Sequence, residues 1–193
     1  MCIVRPSIIN NSYLEPFPGW IDSIAAGAAY FMFVGLGIVK EVQGGIDGIG
    51  DFVPVDLVVG TIIVATAYNA HSKALNIYHA SSSDRNPICF REVMPIIHDF
   101  WNANKSQSRV SESKTMISKN QSLVQLYGAV RTLPIWMYTK VSPIMGGQHA
   151  KNAQRLMKAE KRAVEIKKIF HFFVNDEWIF ECNHIRELQS ILT

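Results

Sequence analysis

Short strand-like runs that alternate with helix-like runs are the feature that most constrains the fold of this chain. Residues 2–9 are rich in β-branched side chains and are interrupted by Arg5-Pro6, which predicts a strand that ends at a turn. Residues 75–80 predict a second short strand. Because each run is followed by a loop and then by a helical pattern, the sequence indicates an α/β fold over residues 1–102.

The composition changes after residue 102. Residues 103–120 are polar, basic and poor in large apolar side chains, which predicts a linker. Residues 121–193 predict a mostly helical region. Two helical faces are expected to point inward: Ile96, Ile97 and Phe100 in the segment 89–101, and Leu156, Val164, Ile169 and Phe173 in the segment 152–173.

Positive charge is concentrated in one part of the chain. Residues 101–170 contain thirteen Lys and Arg against three Asp and Glu, although the net charge of the whole chain is only +3. Such a block can face the phosphates of a coenzyme or of lipid head groups, or it can be the solvated face of helices. Both interpretations remain open, and nucleic acid is not a predicted partner.

Several kinds of site are not predicted by the sequence. No Gly-rich turn follows a strand and opens a helix, and no Tyr is followed four positions later by Lys. The six histidines never occur at metal-ligand spacing, so no metal site is predicted. Three widely separated cysteines predict a reducing compartment, and the longest uncharged stretch, residues 24–39, is too short to predict a membrane span.

A series of motifs resembles one family. RPSI at 5–8, EPFPGWID at 15–22 and DFVPVDLVV at 51–59 occur in order, followed by a serine loop that ends in Asn86-Pro87 and by FFVNDEWIF at 172–180. This combination resembles the alcohol-forming fatty acyl-CoA reductases, also called male-sterility proteins, of the extended short-chain dehydrogenase/reductase superfamily. The resemblance covers nearly the whole chain.

The resemblance implies the fold and the reaction. Residues 1–102 are expected to be the C-terminal part of an NAD(P)-binding Rossmann-like domain, residues 103–120 a linker, and residues 121–193 a truncated helical C-terminal region. The implied activity is NADPH-dependent reduction of a long-chain fatty acyl-CoA, through an aldehyde, to a primary alcohol. The implied location is intracellular, in association with peroxisomal or endoplasmic-reticulum membranes.

The catalytic machinery of that family has no counterpart in this sequence. Its Tyr-x-x-x-Lys pair and its Gly-rich phosphate turn precede the RPSI segment, so no catalytic residue is predicted here. We therefore expect a chain truncated at both ends that requires a missing N-terminal half or an oligomeric partner and is inactive alone. The alternatives are a non-catalytic derivative that serves as an interaction or lipid-surface module, and an apolar helical protein with an unrelated role.

The resemblance also implies which residues form the wall of the site. The segment after the catalytic helix is expected to lie beside the nicotinamide, and two later motifs are expected to line the acyl and thioester side. The implied cofactor-binding residues are Arg5, Pro6, Ser7 and Ile8, and the implied substrate-binding residues are Phe17, Pro18, Gly19, Trp20, Asp22, Val53, Pro54 and Asp56. The sequence departs from the family pattern at Ser23, at residues 26–29, at Leu36 and at Gly60.

Overall fold

The computed structural model describes residues 1–175 and 178–192 and shows a mixed α/β chain. The strands are β1 (Cys2–Pro6), β2 (Ile8–Asn10), β3 (Glu41–Gln43), β4 (Ile49–Gly50), β5 (Phe52–Pro54), β6 (Asn76–Ala80), β7 (Ile88–Cys89) and β8 (Met116–Ser118). The helices are α1 (Ala26–Gly35), α2 (Val55–Tyr68), α3 (Phe90–Ala103), α4 (Gln121–Met145), α5 (Gly147–Asn175) and α6 (Asn183–Leu192).

The strand predicted at residues 75–80 is confirmed as β6, whereas the single strand predicted at residues 2–9 is divided into β1 and β2, in which no residue is fully buried. Strand β1 runs parallel to β6, with Val4 opposite Tyr78, and β2 runs parallel to β5. Between β1 and β2 the chain changes partners. The backbone N–H of Ser7 donates to the carbonyl of Ala80, and the next N–H, of Ile8, donates to the carbonyl of Asp51. Pro6, which has no N–H to donate, is the last residue of β1 and lies just before the point where the chain changes its pairing strand.

The chain divides into two compact units that are discontinuous in sequence. The first unit contains Met1–Ala29, Ile49–Ile88 and Glu177–Thr193, and the second contains Tyr30–Gly48 and Cys89–Asp176. Residues 103–120, predicted as a linker, carry strand β8, which pairs with β3 inside the second unit. The division into three consecutive regions at residues 102 and 121 stays a prediction.

The core of the first unit lies between its strands and two helices. Val53, Val58 and Ala80 form one buried cluster, and Ile185 of α6 packs against it. Ala65, Tyr78 and Leu188 form a second cluster, which therefore also joins α2, β6 and α6. The last helix of the chain thus completes the core that the first strand begins.

Helices α4 and α5 form a hairpin in the second unit. Gly146 alone separates them. The contacts of Arg131 with Glu160 and of Tyr138 with His149 show that the two helices run antiparallel. The helices confirm the predicted helical character of residues 121–175, but the predicted inward stripe is wrong: Val164, Ile169 and Phe173 are exposed and Leu156 is only half-buried. The inward positions are instead Ala153, Ala159, Ala163, Phe170 and Val174.

Small side chains explain the actual inward face of α5. Ala159 and Ala163 let the helix approach Leu36 and Ile38 closely, which large side chains would prevent. In α3 the prediction is also wrong for two residues, because Ile96 is 69% exposed and Phe100 is 61% exposed. Phe90 and Met94 are the buried residues of that helix.

Part of the basic block has a structural role. Glu41 of β3 is 2% exposed and accepts hydrogen bonds from Arg131 Nε at 3.0 Å and Lys167 Nζ at 2.5 Å. Arg131 also pairs with Glu160. These cations neutralise a buried carboxylate, so two of the thirteen cations are committed to holding α4 and α5 against β3.

Candidate functional site

An apolar cavity of about 710 Å³ lies in the first unit, where strand β5 ends and helix α2 begins. Its volume is within the roughly 300–1,000 Å³ that is typical of small-molecule sites. The loop after β6 borders it, as expected for a ligand site beyond the carboxyl ends of parallel strands. The apolar lining residues are Phe52, Val53, Pro54, Leu57, Val64, Ala80, Ile88, Ile185 and Leu188, and the polar ones are Tyr13, Asp56, Thr61, Ser81, Ser82, Arg85 and Asn86.

Asp51 fixes the strand ends beside this cavity. Its carboxylate is buried and accepts a hydrogen bond from the Ser7 hydroxyl at 2.7 Å. The same carboxylate accepts the backbone N–H groups of Ser82 at 2.9 Å and Ser83 at 3.3 Å. Because these donors come from the β1–β2 junction and from the loop after β6, one side chain ties together both strand pairs of the first unit.

Asp56, in the first turn of α2, holds the loop at the other side of the cavity. Its two carboxylate oxygens accept the backbone N–H groups of Tyr13 at 2.9 Å, Leu14 at 2.8 Å and Glu15 at 3.1 Å. Desolvation raises the pKa of the Asp56 carboxyl, but the backbone donors together outweigh it and lower the pKa to about 2. Asp56 is therefore ionised at neutral pH and orients Tyr13, which lines the cavity.

The serine loop after β6 is an organised part of the wall. Ser83 in this loop is buried, and Ser81 and Ser82 are half-buried. The hydroxyl of Ser83 accepts the backbone N–H of Phe180 at 3.1 Å. The segment before α6 is thereby attached to this loop, a contact between distant segments that no local sequence pattern indicates.

A second attachment fixes the start of α6. The carboxylate of Asp84 accepts the backbone N–H of Cys182 and the guanidinium of Arg186, each at 3.0 Å. Desolvation raises the pKa of Asp84, but these donors and the nearby Arg85 lower it below its ordinary value overall. The contacts position α6 so that Ile185 and Leu188 close one side of the cavity.

The structure brings only some of the predicted site residues to the cavity. Val53, Pro54 and Asp56 line it. The loop that carries the other substrate residues closes on itself, because Ser12 bonds to the backbone of Phe17, Gly19 and Trp20. Outside the cavity lining are Phe17, Pro18, Gly19, Trp20 and Asp22 of the predicted substrate set and Arg5, Pro6, Ser7 and Ile8 of the predicted cofactor set.

The glycines of this chain do not form a cradle for the phosphates of a dinucleotide. Gly37 follows the C-terminal end of α1 with φ of +69°, and a Cβ there would lie 2.3 Å from the backbone oxygen of Ser111. A Cβ at Gly44 would lie 2.6 Å from the backbone oxygen of Val174. These turns are packed against protein rather than open to a ligand at a helix N-terminus. The described residues can therefore form at most one wall of a binding site for a nicotinamide dinucleotide.

In residues 1–175 and 178–192, no group of three or more His, Cys, Asp and Glu side chains is arranged to hold a metal ion. Within the same part of the chain, none of the helices combines the length and the apolar character that a membrane crossing requires.

Comparison with known proteins gives a consistent result. An NAD-binding family model described as male sterility protein matches residues 1–62, which include β5 and the start of α2. Fatty acyl-CoA reductase 1 of Mus musculus is 27% identical over 195 residues, covering 100% of this chain and 37% of the relative. Fatty acyl-CoA reductase 8 of Arabidopsis thaliana is 28% identical over 197 residues, covering 97% of this chain and 39% of the relative.

These matches agree with the family that the motifs indicate. The human fatty acyl-CoA reductase 1 is likewise 26% identical, over all of this chain and 37% of its own length. The chain thus spans less than two fifths of the length of these relatives. Animal and plant relatives align over almost the whole chain, from β1 to α6, and not only over the NAD-binding segment. The chain is therefore similar to fatty acyl-CoA reductases over nearly its whole length.

Proposed function

We propose that the cavity of the first unit binds the acyl chain of a long-chain fatty acyl-CoA. The observation that carries this proposal is the apolar wall formed by the end of β5, by α2 and by α6 at the edge of two parallel strand pairs. Apolar surface removed from water contributes about 0.8 kcal/mol for each buried methylene group. A hydrocarbon chain is therefore the ligand that these walls favour.

Polar groups at the same cavity suit the other end of such a ligand. Arg85 and Asn86 line it beside the serine loop, and Asp51 keeps the backbone of that loop in place. A guanidinium and an amide can hydrogen-bond the thioester and phosphate oxygens of a coenzyme A ester. This combination of long apolar walls and a few polar groups supports an acyl ester over a purely apolar ligand.

We further propose that the chain serves an NADPH-dependent reductase. In the complete reaction, a fatty acyl-CoA, two NADPH and two protons give a primary alcohol, coenzyme A and two NADP⁺. The first reduction releases the thiol and forms an aldehyde, and the second reduces that aldehyde. In this reaction the chain contributes walls and positioning groups, because its sequence has no Tyr-x-x-x-Lys to stabilise the developing oxyanion.

The proposal is tested by binding rather than by turnover. The full 193-residue chain is titrated with palmitoyl-CoA and with shorter acyl-CoA esters by isothermal calorimetry. Affinity is expected to increase with acyl length until the cavity is filled. Gly60 of α2 lines the cavity, and a Cβ there meets nothing within 4 Å, so Gly60→Leu should occupy free volume without a clash.

The matched control lies on the same helix. Val59 is exposed and lies outside the cavity lining, so Val59→Leu changes α2 by one methylene without narrowing the cavity. Gly60→Leu is expected to weaken palmitoyl-CoA binding about tenfold, while Val59→Leu leaves it unchanged. Equal affinities of the two variants, or no dependence on acyl length, would show that the ligand binds elsewhere.

A further inference from the structure

Another cavity lies between helices α4 and α5 in the second unit, and we refer to it as the α4–α5 groove. Its volume is about 400 Å³, which is within the range of small-molecule sites. Because both walls belong to one helical hairpin, the groove is complete within the second unit. Its lining consists of Thr139, Ser142 and Pro143 of α4 and of Ala150, Ala153, Gln154, Met157, Lys158 and Lys161 of α5.

Side-chain contacts fix the separation of the two helices that form this groove. The Arg131 guanidinium donates to the Glu160 carboxylate at 2.8 Å and also to the buried Glu41. Nearer the hairpin turn, the Tyr138 hydroxyl lies 3.0 Å from Nδ1 of His149. The groove is therefore formed before a ligand enters it, which reduces the entropy that is lost on binding.

The groove carries two positive charges that no carboxylate offsets. Lys158 and Lys161 are exposed, and their spacing of three positions places them on the same side of α5. Among the described side chains, neither ammonium group has an ion-pair partner, and no Asp or Glu lines the groove. Two such cations beside a cavity attract an anion that carries more than one charge.

Neighbouring residues of α5 increase this positive potential. The one acidic residue of the segment 151–162 is Glu160, which pairs with Arg131 of α4 and not with a cation of its own helix. Cations three or four positions apart on a helix repel each other, and a bound anion relieves that repulsion. A helix face that serves solubility alone usually mixes charges of both signs. The cations with this spacing are Lys151, Arg155, Lys158, Lys161 and Arg162.

The uncharged groups of the groove suit the organic part of an anion. Pro143 and Met157 supply apolar surface, and Met157 is unbranched and adapts to ligands of different shape. The Gln154 amide has no hydrogen-bond partner among the described residues, so both of its N–H donors are available there. Ser142 is 2% exposed, and its hydroxyl donates to the carbonyl of Thr139 at 3.3 Å, a long bond that a ligand oxygen can replace.

We propose that the α4–α5 groove binds a phosphate monoester of a small organic molecule. The phosphate lies between the ammonium groups of Lys158 and Lys161 and accepts a hydrogen bond from the Gln154 amide, and the organic group contacts Pro143 and Met157. A phosphate monoester fits better than a carboxylate or a sulfate ester, because it carries a charge of about −1.5 to −2 at neutral pH and has three strong acceptor oxygens.

This inference is independent of the acyl-CoA proposal, because the groove and the acyl-chain cavity use different residues of different units. The full chain is titrated by isothermal calorimetry with phenyl phosphate, phenyl sulfate and inorganic phosphate. Phenyl phosphate is expected to bind about tenfold more tightly than phenyl sulfate, which carries one negative charge. It should also bind more tightly than inorganic phosphate, which has no organic group, and added salt should weaken its binding.

Two matched double variants of α5 test the role of the two ammonium groups. Lys158→Gln with Lys161→Gln removes the charges of the groove, and Lys151→Gln with Lys168→Gln removes two equally exposed charges outside its lining. The first variant is expected to bind phenyl phosphate at least about tenfold more weakly than the native chain, and the second less than about twofold. Melting temperatures of both variants check that they are folded.

A spectroscopic readout on the native chain locates the ligand without relying on these variants. In chain labelled at the methionine methyl groups, the Met157 resonance is assigned with Met157→Leu and should shift when phenyl phosphate is added. The resonance of Met94, which is buried in α3, should not shift.

Three results would overturn the proposal: equal affinities of the two double variants, equal affinities for phenyl phosphate and phenyl sulfate, or an unchanged Met157 resonance. A single-stranded DNA oligonucleotide that binds more tightly than phenyl phosphate, and that both double variants bind equally weakly, would overturn it too. The whole charged face of α5 would then be a surface for an extended polyanion.

Discussion

The carboxylate of Asp56 shows how a residue can belong to a site without contacting the ligand. The resemblance predicts that this residue binds substrate, and it does line the cavity. Yet both of its oxygens are occupied by three consecutive backbone N–H groups, of Tyr13, Leu14 and Glu15. We interpret Asp56 as a positioning residue that holds residues 13–15 over the start of α2.

Asp56→Asn should therefore release this loop. The amide has one acceptor oxygen in place of two charged ones, so the variant is expected to lose about 1 kcal/mol of stability and to be cleaved faster at residues 13–15 by a protease. Asp22→Asn, at an exposed position near the same loop, is the control and should change neither. Equal protease sensitivity of the two variants would contradict this assignment.

The dependence of this effect on pH has a defined sign. The pKa of Asp56 in the folded chain is about 2, below its ordinary value near 4. A depressed carboxyl pKa stabilises the folded state above the unfolded-state pKa, and that contribution is lost as pH falls towards 2. The stability difference between native and Asp56→Asn chains should thus shrink between about pH 4 and pH 2 when measured by denaturant unfolding.

At the scale of secondary-structure elements, local sequence patterns predicted which strands and helices form better than they predicted which face of a helix is buried. The strands at residues 2–9 and 75–80 and the helix that begins after Pro54 follow from β-branched runs and helix punctuation. The inward faces of α3 and α5 did not follow, because neighbours distant in sequence determine which side is covered. In α5 that side carries Ala159, Ala163 and Phe170, and Lys167 reaches from this helix to Glu41 of β3.

Two glycines give a matched prediction about elements. Gly60 lies inside α2, where a Cβ would meet nothing within 4 Å, so Gly60→Ala should raise stability by about 0.5–1 kcal/mol. Gly37 has φ of +69°, and its Cβ would lie 2.3 Å from a backbone oxygen, so Gly37→Ala should destabilise by more than about 1 kcal/mol. Denaturant midpoints measure both changes, and the same sign for the two variants would refute the argument.

At the scale of the whole molecule, the sequence motifs located one wall of the candidate site and missed the rest. Val53 and Pro54 come from a motif that is recognisable by itself. Arg85 and Ile185 join them only through the parallel pairing and through the return of α6 to the first unit. Such long-range assembly leaves no periodic pattern in the local sequence, which is why these residues were not predicted.

The whole chain is expected to bind acyl-CoA without reducing it. The turns at Gly37 and Gly44 are filled by protein, and the sequence has no Tyr-x-x-x-Lys. Purified chain incubated with palmitoyl-CoA and NADPH should therefore form no hexadecanol above a heat-denatured control, as measured by gas chromatography. Alcohol formation that depends on NADPH would refute this expectation and would require another oxyanion donor in the chain.

The position of α6 also has a consequence for how the protein is made. Ile185 and Leu188 fill the core between α2, β1 and β6, yet a ribosome adds them more than 100 residues after β6. Until then the nascent first unit exposes the apolar surface that α6 will cover, while the second unit can already fold. We therefore expect the growing chain to depend on chaperones until α6 has been synthesised, because exposed apolar surface of this kind promotes aggregation.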